Sequence, residues 1–173
     1  MVIRELRTIG GRVKCVNPTH KNIPTHKNVM KNFFFKNFVK APFARDFFKK
    51  IVEAFYATTK ISSKKSVLFA LISDAEMKKL NRRYRGKNST TDVLSFRTEE
   101  SEIYFPKEDE SLGDVLISYS QAQKQAKERG HSVAQELTIL VVHGLAHLSG
   151  YTHDADREAK KMERVEKKVL KNL

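Results

Sequence analysis

The sequence predicts an α+β domain in which a small mixed β-sheet packs with about five helices. Long segments repeat apolar residues at intervals of three and four, which is typical of helices packed on a core. Shorter apolar segments bounded by polar residues indicate strands. With 173 residues and 40% hydrophobic content, the chain is long enough to bury one core. Long helices mixed with a few strands are typical of the α+β class.

The first half of the chain contains two predicted helices and one strand. Apolar residues at helical spacing predict a helix over 42–59, with Pro42 suited to its first turn. The short apolar run 67–72 predicts a buried strand. A capping serine or aspartate then starts a helix over 73–84, which Gly86 ends.

The second half is predicted to add three strands and three helices. One strand lies beyond an acidic turn, and another is entered through Gly113. A short polar helix is ended by Gly130, and the last helix is charged with a thin apolar stripe. The strands are 92–96, 102–105 and 112–118, and the helices are 119–129, 132–150 and 154–170.

The helix over 132–150 is the segment around which the rest is organised. Ser132 followed three residues later by Gln135 is a capping-box start, and Gly150 is a stop signal. Apolar residues fill most of its faces. The helix is therefore predicted to be buried nearly all round.

Histidines interrupt this apolar helix at two positions. His143 and His147 are four residues apart and therefore share one face. Gly150 lets the chain reverse, so that His153 returns towards the same point. Three converging imidazoles are typical of a zinc-type site with an open fourth position, which is the catalytic arrangement. The segment is thus predicted to be a zincin-like site helix.

Each histidine taken alone has a purely structural explanation. A histidine on an apolar helix is more often a hydrogen-bonded core residue than a metal ligand. Three imidazoles in an apolar segment would each need a buried partner, and one metal ion supplies a partner for all three. We therefore expect one transition metal ion per chain, Zn²⁺ first, with Ni²⁺ or Co²⁺ as alternatives that imidazole ligands also accept.

The net charge indicates a polyanionic partner. Lys and Arg total 33 against 20 Asp and Glu, a net charge of +13, which favours RNA or DNA over an acidic membrane. A lysine-rich proteome is the alternative explanation. Cys15 is the only cysteine, which suits a reducing cytosol. The apolar runs are too short for a membrane span, so we expect a cytoplasmic protein without membrane contact.

Residues 1–40 are predicted to be a basic arm ahead of a domain at 41–173. The arm carries nine Lys or Arg and one acidic residue. The tandem repeat NPTHKN and IPTHKN contains two prolines, which argues for an extended or disordered segment. Its histidines, His20 and His26, are interpreted as solvated loop residues. An organellar transit peptide is the minor alternative, disfavoured by the abundance of Lys and Asn over Ser.

Motifs in three segments resemble those of one family. HGLAHLSGYTH (143–153) has two histidines on a helix, a Gly-aromatic turn and a third histidine. LNRRYRGKNSTTDVLSF (80–96) and LGDVLIS (112–118) agree with the same pattern in order and spacing. Over 66–170 the chain resembles the YbeY-type endoribonucleases, which act in ribosomal RNA maturation. Residues 1–40 lie outside this resemblance.

The resemblance implies a function and a set of site residues. His143, His147 and His153 match the metal-ligand positions, and Arg85 matches an arginine with a catalytic role beside the metal. The implied protein is a single-strand-specific, metal-dependent endoribonuclease that matures the 3′ end of small-subunit ribosomal RNA and serves ribosome quality control. Its implied partners are ribosomal RNA, the small ribosomal subunit and assembly factors, with no DNA. The departures from the family pattern are Thr152 for Asp and Thr90 and Arg97 for Pro.

Phosphodiester cleavage suits these residue types. A metal ion with an open position activates water and polarises a phosphoryl oxygen. A guanidinium is a planar fork for phosphate oxygens, so we expect Arg85 to stabilise the charge of a pentavalent phosphorane. Arg82, Arg83 and Lys87 are expected to form an RNA-binding face with Arg85. The alternative is that Arg85 is a solvated cation at a helix end.

Roles for three carboxylates remain open at this stage. Asp92 and Asp114 begin strand segments, where each either orients a ligand histidine or the site loop, or caps a strand end. Glu136 lies seven residues before His143 and shares its helix face. A salt bridge explains it equally well.

Other functions are weighed against RNA cleavage. A His-Glu-x-x-His peptidase needs a glutamate after its first histidine as general base, and Gly144 occupies that position. A hydrolase of a small phosphoester is a further alternative. A non-catalytic RNA-binding assembly factor with a structural metal would need a fourth protein ligand. Asp154 and Asp156 are the nearest candidates.

Overall fold

The computed structural model describes most of the chain beyond residue 32 and two short strands before it. Strands β1 (Leu6–Ile9) and β2 (Arg12–Cys15) pair antiparallel with each other. The predicted strand at 102–105 and the histidines of the tandem repeat, His20 and His26, lie outside the described residues. The described ranges are 6–9, 12–15, 33–59, 61–62, 65–98 and 111–173.

A four-stranded mixed sheet lies at the centre of the fold. Its strands are β3 (Phe33–Asn37), β4 (Ser66–Ile72), β5 (Val93–Arg97) and β6 (Ser111–Ser118). Their order across the sheet is β3-β4-β6-β5. The first three are parallel neighbours, whereas β5 pairs antiparallel with β6. The mixed sheet predicted from the sequence is confirmed.

Strand β3 was not among the predicted elements. It lies within the range 1–40 that was predicted to be an arm, yet Phe33 is buried and its ring lies 5.8 Å from that of Phe69 on β4. A run of three phenylalanines has high strand propensity when one face packs on a core. The sheet therefore begins at residue 33, inside the range 1–40 that was predicted to be an arm.

The described residues contain five helices, as the fold class predicted. Ser132 and Gln135 form the predicted capping box at the start of the fourth helix. Gly86 and Gly130 adopt the left-handed conformation at the ends of the second and third. The helices are α1 (Arg45–Thr58), α2 (Asp74–Arg85), α3 (Tyr119–Arg129), α4 (Val133–Leu148) and α5 (Asp156–Lys171).

Pro42 precedes α1 and does not occupy its first turn, so that prediction is wrong. The side chain of Asn37 donates to the Ala41 carbonyl at 2.8 Å and accepts from the Ala41 N–H at 3.0 Å. These bonds engage the backbone just before the proline in a loop. The helix begins only at Arg45, after Ala44 as its N-cap residue.

Apolar side chains cover both faces of the sheet. Helices α1, α4 and α5 contribute to the larger cluster on one face, and α2 covers a smaller cluster on the other through Met77. Helix α4 contacts α1, α3, α5, β5 and β6. Only Gln135 of α4 is exposed. The prediction that this helix is buried nearly all round is confirmed, and its side chains are held on a rigid support.

Helix α4 comes closest to the sheet at Gly144. A Cβ atom there would lie 2.6 Å from Cγ1 of Val115 and 3.2 Å from Oγ of Ser95. Because real Cβ atoms do not approach other atoms at 2.6 Å, any side chain would push the helix away from the sheet. Glycine therefore sets the distance between α4 and the two strands β5 and β6.

Candidate metal centre

Histidine side chains meet at the C-terminal end of α4. His143 and His147 lie on adjacent turns, with their Nε2 atoms 3.1 Å apart. Gly150 has φ of 92° and lets the chain turn after the helix. His153 then lies with its ring centroid 5.9 Å from that of His143 and 5.0 Å from that of His147. One nitrogen from each of the three lies within 4.8 Å of the others, so the convergence expected from the spacing is present.

Hydrogen bonds on the outer side of two rings fix which nitrogen faces the centre. Nδ1 of His143 lies 2.8 Å from Oε1 of Glu166, and Nδ1 of His147 lies 3.1 Å from the carbonyl oxygen of Tyr151. A carbonyl oxygen and a carboxylate only accept, so both Nδ1 atoms donate. In neutral imidazoles both Nε2 atoms are then bare acceptors.

Two acceptors 3.1 Å apart cannot bond to each other. They can share a cation, and outer hydrogen bonds of this kind are typical of metal-ligating histidines. The donor set therefore fits a transition metal ion, with one nitrogen from each of His143, His147 and His153.

The environment of His147 favours its neutral form. Burial lowers its pKa below the ordinary value, and the neighbouring rings of His143 and His153 lower it further. The hydrogen bond to Tyr151 and the charge of Glu166 oppose this shift only in part. A histidine must be deprotonated to bind a metal, so the direction of this shift favours ligation.

The histidines line one cleft of about 750 Å³. Residues after α4 form part of its wall, and the end of α2 together with the edge strand β5 form another part. Basic side chains share this wall with backbone and hydroxyl groups. The lining includes Asn81, Arg85, Lys87, Asp92, Ser95, Arg97, His143, His147, Tyr151, Thr152, His153 and Asp154.

Arg85 lies in the cleft with the three histidines. It is the last residue of α2 and is exposed. Its Nη2 donates to the Ser95 carbonyl at 3.3 Å, and its Cζ lies 6.0 Å from the ring centroid of Phe96. These contacts hold the guanidinium beside β5 while leaving it open to a ligand. A catalytic group and a helix-end cation would both fit this location.

Of the three other basic residues predicted to bind RNA, one lines the cleft and two do not. Lys87 lines the cleft. Arg82 and Arg83 are exposed on α2 but do not line it. The Cζ atom of Arg83 lies 5.3 Å from the ring centroid of Tyr84. An RNA-binding role for these two would therefore concern the rim of the cleft.

Sequence reasoning missed two residues at this site. Glu166 on α5 bonds to His143, and 23 positions separate the two. It stands among several other charged residues of α5, so nothing in its spacing marked it. Arg97 was noted only as a departure from a family pattern, and it lines the cleft. Strand alternation from Ser95 would have suggested that they share a face.

The sequence left the roles of three carboxylates undecided, and the structure gives two of them a structural role. Glu136 is fully buried and accepts from Nη1 of Arg129 at 2.6 Å, with Nε2 of His131 at 2.5 Å from its other oxygen. Of the two interpretations of Glu136, the salt bridge is therefore the one that the structure shows. Asp92 accepts from the Val93 N–H at 2.8 Å and from Nε2 of Gln125 at 2.9 Å, as a strand-end cap that also lines the cleft.

Asp114 is the third carboxylate, and its side chain lies away from solvent. It is 4% exposed, in the middle of the sheet on β6, where it stands opposite Phe96 of β5. It does not line the cleft. Its location therefore gives it no direct access to a substrate there.

The peptidase alternative meets a second obstacle at Gly144. This position faces β5 and β6, not the cleft, and has no room for a Cβ atom. A glutamate there would collide with Val115. The missing general base of a His-Glu-x-x-His peptidase therefore follows from the packing of α4.

The structural-metal alternative predicted a fourth protein ligand. Within the described ranges, the grouping of possible ligands contains the three histidines and neither Asp154 nor Asp156. Asp154 lines the cleft, and Asp156 starts α5.

Within the described ranges, none of the helices is long and apolar enough to cross a bilayer.

The fold and the site define the class as α+β proteins that carry a three-histidine centre on a buried helix and the turn after it. The sequence of the whole domain agrees with one family of this class. A sequence model described as Endoribonuclease YbeY matches residues 33–173. The chain belongs to the endoribonuclease YbeY family, so the predicted resemblance is confirmed. The match also includes β3.

Individual relatives give the same result. The chain is 41% identical over 126 residues to Endoribonuclease YbeY of Moorella thermoacetica, covering 70% of this chain and 81% of the relative. It is 43% identical over 135 residues to the protein of that name from Thermodesulfovibrio yellowstonii, covering 72% and 83%. The solution structure of TM1509 from Thermotoga maritima is similar with a TM-score of 0.56 and 25% identity, covering 81% of this chain and 87% of that one.

Proposed function

We propose that this protein is a metal-dependent endoribonuclease that cleaves single-stranded RNA at the three-histidine centre. The observation that carries the proposal is the arrangement of the two Nε2 atoms of His143 and His147, 3.1 Å apart in a cleft that Arg85 also lines. Relatives named Endoribonuclease YbeY support RNA as the substrate. The net charge of +13 supports a polyanionic substrate of this kind.

His143, His147 and His153 would hold the metal, for which Zn²⁺ is the first candidate and Ni²⁺ or Co²⁺ the alternatives. The bound metal would supply Lewis acidity and activate water for attack on phosphorus. Glu166 and the Tyr151 carbonyl hold two of the rings with Nε2 towards the centre. Their part is to fix ligand orientation before substrate arrives.

Arg85 would bind the phosphate that is cleaved. Its guanidinium is a planar donor fork, and its charge suits the extra negative charge of a pentavalent phosphorane. The bond to the Ser95 carbonyl uses one donor nitrogen and leaves the others for phosphate oxygens. Lys87 adds a second cation to the cleft, and Arg82 and Arg83 would extend the basic face along α2.

Within the cell, we propose maturation of the 3′ end of small-subunit ribosomal RNA and ribosome quality control in the cytoplasm. The partners would be ribosomal RNA, the small subunit and assembly factors, with neither DNA nor membrane involved. The family supports this role. The basic segment before residue 33 would add phosphate contacts, which raise affinity without reading sequence.

An assay on RNA with metal-loaded protein tests the proposal. The parent should cleave a single-stranded RNA, whereas His147→Ala should lose both the metal and cleavage. His131→Ala is a matched control, because His131 bonds to Glu136 away from the cleft. Uncleaved RNA with the fully metal-loaded parent would contradict an enzymatic role. Unchanged metal content in His147→Ala would contradict the ligand set.

A further inference from the structure

The side chain of Arg97 lies beside the three histidines with no hydrogen-bond or ion-pair partner among the described residues. It is the last residue of β5 and is exposed. Its Nη2 lies 3.8 Å from the position that a Cβ atom would take on Gly150. The guanidinium therefore lies next to the turn that leads to His153. Among the described residues, nothing forms a hydrogen bond or ion pair with it.

A second pocket of about 220 Å³ adjoins the histidine cleft at Arg97. Arg97 and Leu148 line both spaces. Lys65 lines only the second pocket, whereas Arg85 and Lys87 line only the cleft. The cations thus form a series from Arg85 and Lys87 in the cleft, through Arg97 in both spaces, to Lys65 in the second pocket.

The second pocket has the chemistry of a phosphate site. Its described lining contains two cations and the hydroxyl residues Thr98, Ser111 and Ser149, with no acidic side chain. Nothing described competes for the nitrogens of Arg97. Phosphate oxygens are acceptors that a guanidinium and an ammonium both bind.

The spacing along β5 suits a chain of phosphates. Arg85 is bonded to the Ser95 carbonyl, and Arg97 follows two positions later, about 7 Å along a strand. An extended polynucleotide laid along this edge can therefore present successive phosphates to both arginines. A free phosphate or a mononucleotide would use only one end of the series.

We propose that Arg97 and Lys65 form a second phosphate-binding subsite, which holds the RNA backbone on one side of the cleavage position. The proposal rests on the RNA cleavage proposed above. Its role is binding, since Lys65 lines only the second pocket and Arg97 lies where that pocket joins the cleft. It gives the cleft a direction, because RNA must extend past Arg97 on that side alone.

The test measures binding and cleavage separately. Metal-loaded parent, Arg97→Ala, Lys65→Ala and the double variant are titrated with a labelled single-stranded oligonucleotide carrying 2′-O-methyl groups, whose integrity is checked on gels. Lys50→Ala is the matched control, an exposed cation of α1 outside both spaces. Thermal melting checks that every variant is folded.

We expect each subsite variant to bind about three- to tenfold more weakly, because each loses one charge-assisted phosphate contact. The slope of log affinity against log salt should flatten by about 0.7 for each lost contact with a single strand. Cleavage by Arg97→Ala should show a raised KM with kcat near that of the parent. Lys50→Ala should resemble the parent in both assays.

Shortening the oligonucleotide provides the decisive comparison. Removing nucleotides from one end should abolish the difference in affinity between the parent and Arg97→Ala. Removing them from the other end should leave that difference in affinity unchanged. Equal affinity and equal salt slope for the parent and the double variant would overturn the subsite while cleavage by the parent still upholds the enzyme. A parent that binds with the expected slopes but never cuts RNA would instead overturn the enzyme alone.

Discussion

Arg85 and the histidines are expected to fail in different ways when they are replaced. Arg85 is exposed and the one described hydrogen bond of its side chain is to the Ser95 carbonyl, so neither the metal nor the core depends on that side chain. Arg85→Ala should keep full metal content and near-parental stability but lose RNA cleavage by about a hundredfold or more. Arg85→Lys keeps the charge without the planar fork and should recover only part of the rate. Gel assays measure the RNA cleavage, and elemental analysis measures the metal content.

Arg164→Ala is the control for this pair, since Arg164 is exposed on α5 and does not line the cleft. It should cleave like the parent. If Arg85 were only a cation at the end of α2, both of its variants would also cleave at the parental rate. That result would remove Arg85 from the catalytic residues.

Glu166 should influence metal affinity without touching the metal. Its carboxylate accepts from Nδ1 of His143 at 2.8 Å. Glu166→Gln removes the negative charge and should weaken metal binding by about 10- to 100-fold, the usual cost of losing such a partner. Competition with a chromophoric chelator measures the affinity.

Glu163→Gln is the matched change on the same helix. Its carboxylate pairs with Lys167, and that hydrogen bond lowers the pKa of Glu163. We expect its metal affinity to equal that of the parent. Equal affinities for both variants would show that the Glu166 contact does not orient His143.

At the scale of single residues, sequence spacing located the three histidines because the helical period and one glycine turn decide their approach. Glu166 was beyond such reasoning. Helix α5 carries several glutamates at similar spacing, and only its packing on α4 selects the one that meets His143. Contacts between elements far apart in the chain cannot be deduced from a local period.

The approach of α4 to the sheet should be sensitive to one methyl group. A Cβ on residue 144 would lie 2.6 Å from Cγ1 of Val115. Gly144→Ala gains about 1 kcal/mol of helix propensity, but overpacking of this kind costs about 1–3 kcal/mol. We expect net destabilisation in urea unfolding, together with weaker cleavage as the histidine turn shifts.

A double-mutant cycle checks the cause. Val115→Ala alone leaves a cavity and is destabilising. In the double variant, the smaller side chain at 115 makes room for the new methyl group. The combined loss should therefore be smaller than the sum of the two single losses. An additive loss would show that contact with Val115 is not what excludes a side chain at residue 144.

At the scale of elements, periodicity and caps predicted the helices well because they are local properties. Ser132 with Gln135 and the two left-handed glycines that end α2 and α3 are such signals. The start of α1 was placed too early because the Asn37 side chain, a contact from the preceding strand, engages the backbone before Pro42. Strand β3 was missed because its support comes from distant segments, through pairing with β4 and packing against α1.

The stability of the whole molecule should depend on Tyr56 at high pH. Burial raises the pKa of Tyr56 from 10.0 to about 12, and its hydroxyl donates to the Lys65 carbonyl at 2.8 Å. Below pH 10 the group is protonated in both folded and unfolded chains, and its full contribution to stability is present. As pH rises from 10 through about 12, the unfolded chain loses its proton first, so the free energy of unfolding falls.

Tyr56→Phe isolates this effect from the titration of lysines. It should be less stable than the parent at pH 9, by about 1 kcal/mol for the lost hydrogen bond. The difference between the two proteins should shrink as pH rises towards 12, because only the parent bears the cost of an ionising buried hydroxyl. Denaturant midpoints at several pH values give the comparison, and a constant difference would contradict it.

At the scale of the molecule, the sequence predicted the fold class but not the order of the strands. Parallel pairing of β4 with β6 depends on distant segments meeting, and no local pattern specifies it. The cleft is a product of that order, since it places β5 at the edge beside α2 and the end of α4. Arg85 and His143 therefore line one cleft only in the assembled molecule.

Helix α4 serves as core and as site at once, because no residue of it from Glu136 onward is exposed. Substitutions on this helix therefore change packing and metal geometry together. On the opposite side of the cleft, formed by β5 and the end of α2, the three basic residues Arg85, Lys87 and Arg97 are exposed. Adaptation to a different RNA can proceed there by exchanging Lys87 or Arg97 while the fold is kept. The two walls thus differ in which residues can be exchanged: α4 is held by packing, whereas Lys87 and Arg97 on the other wall are exposed.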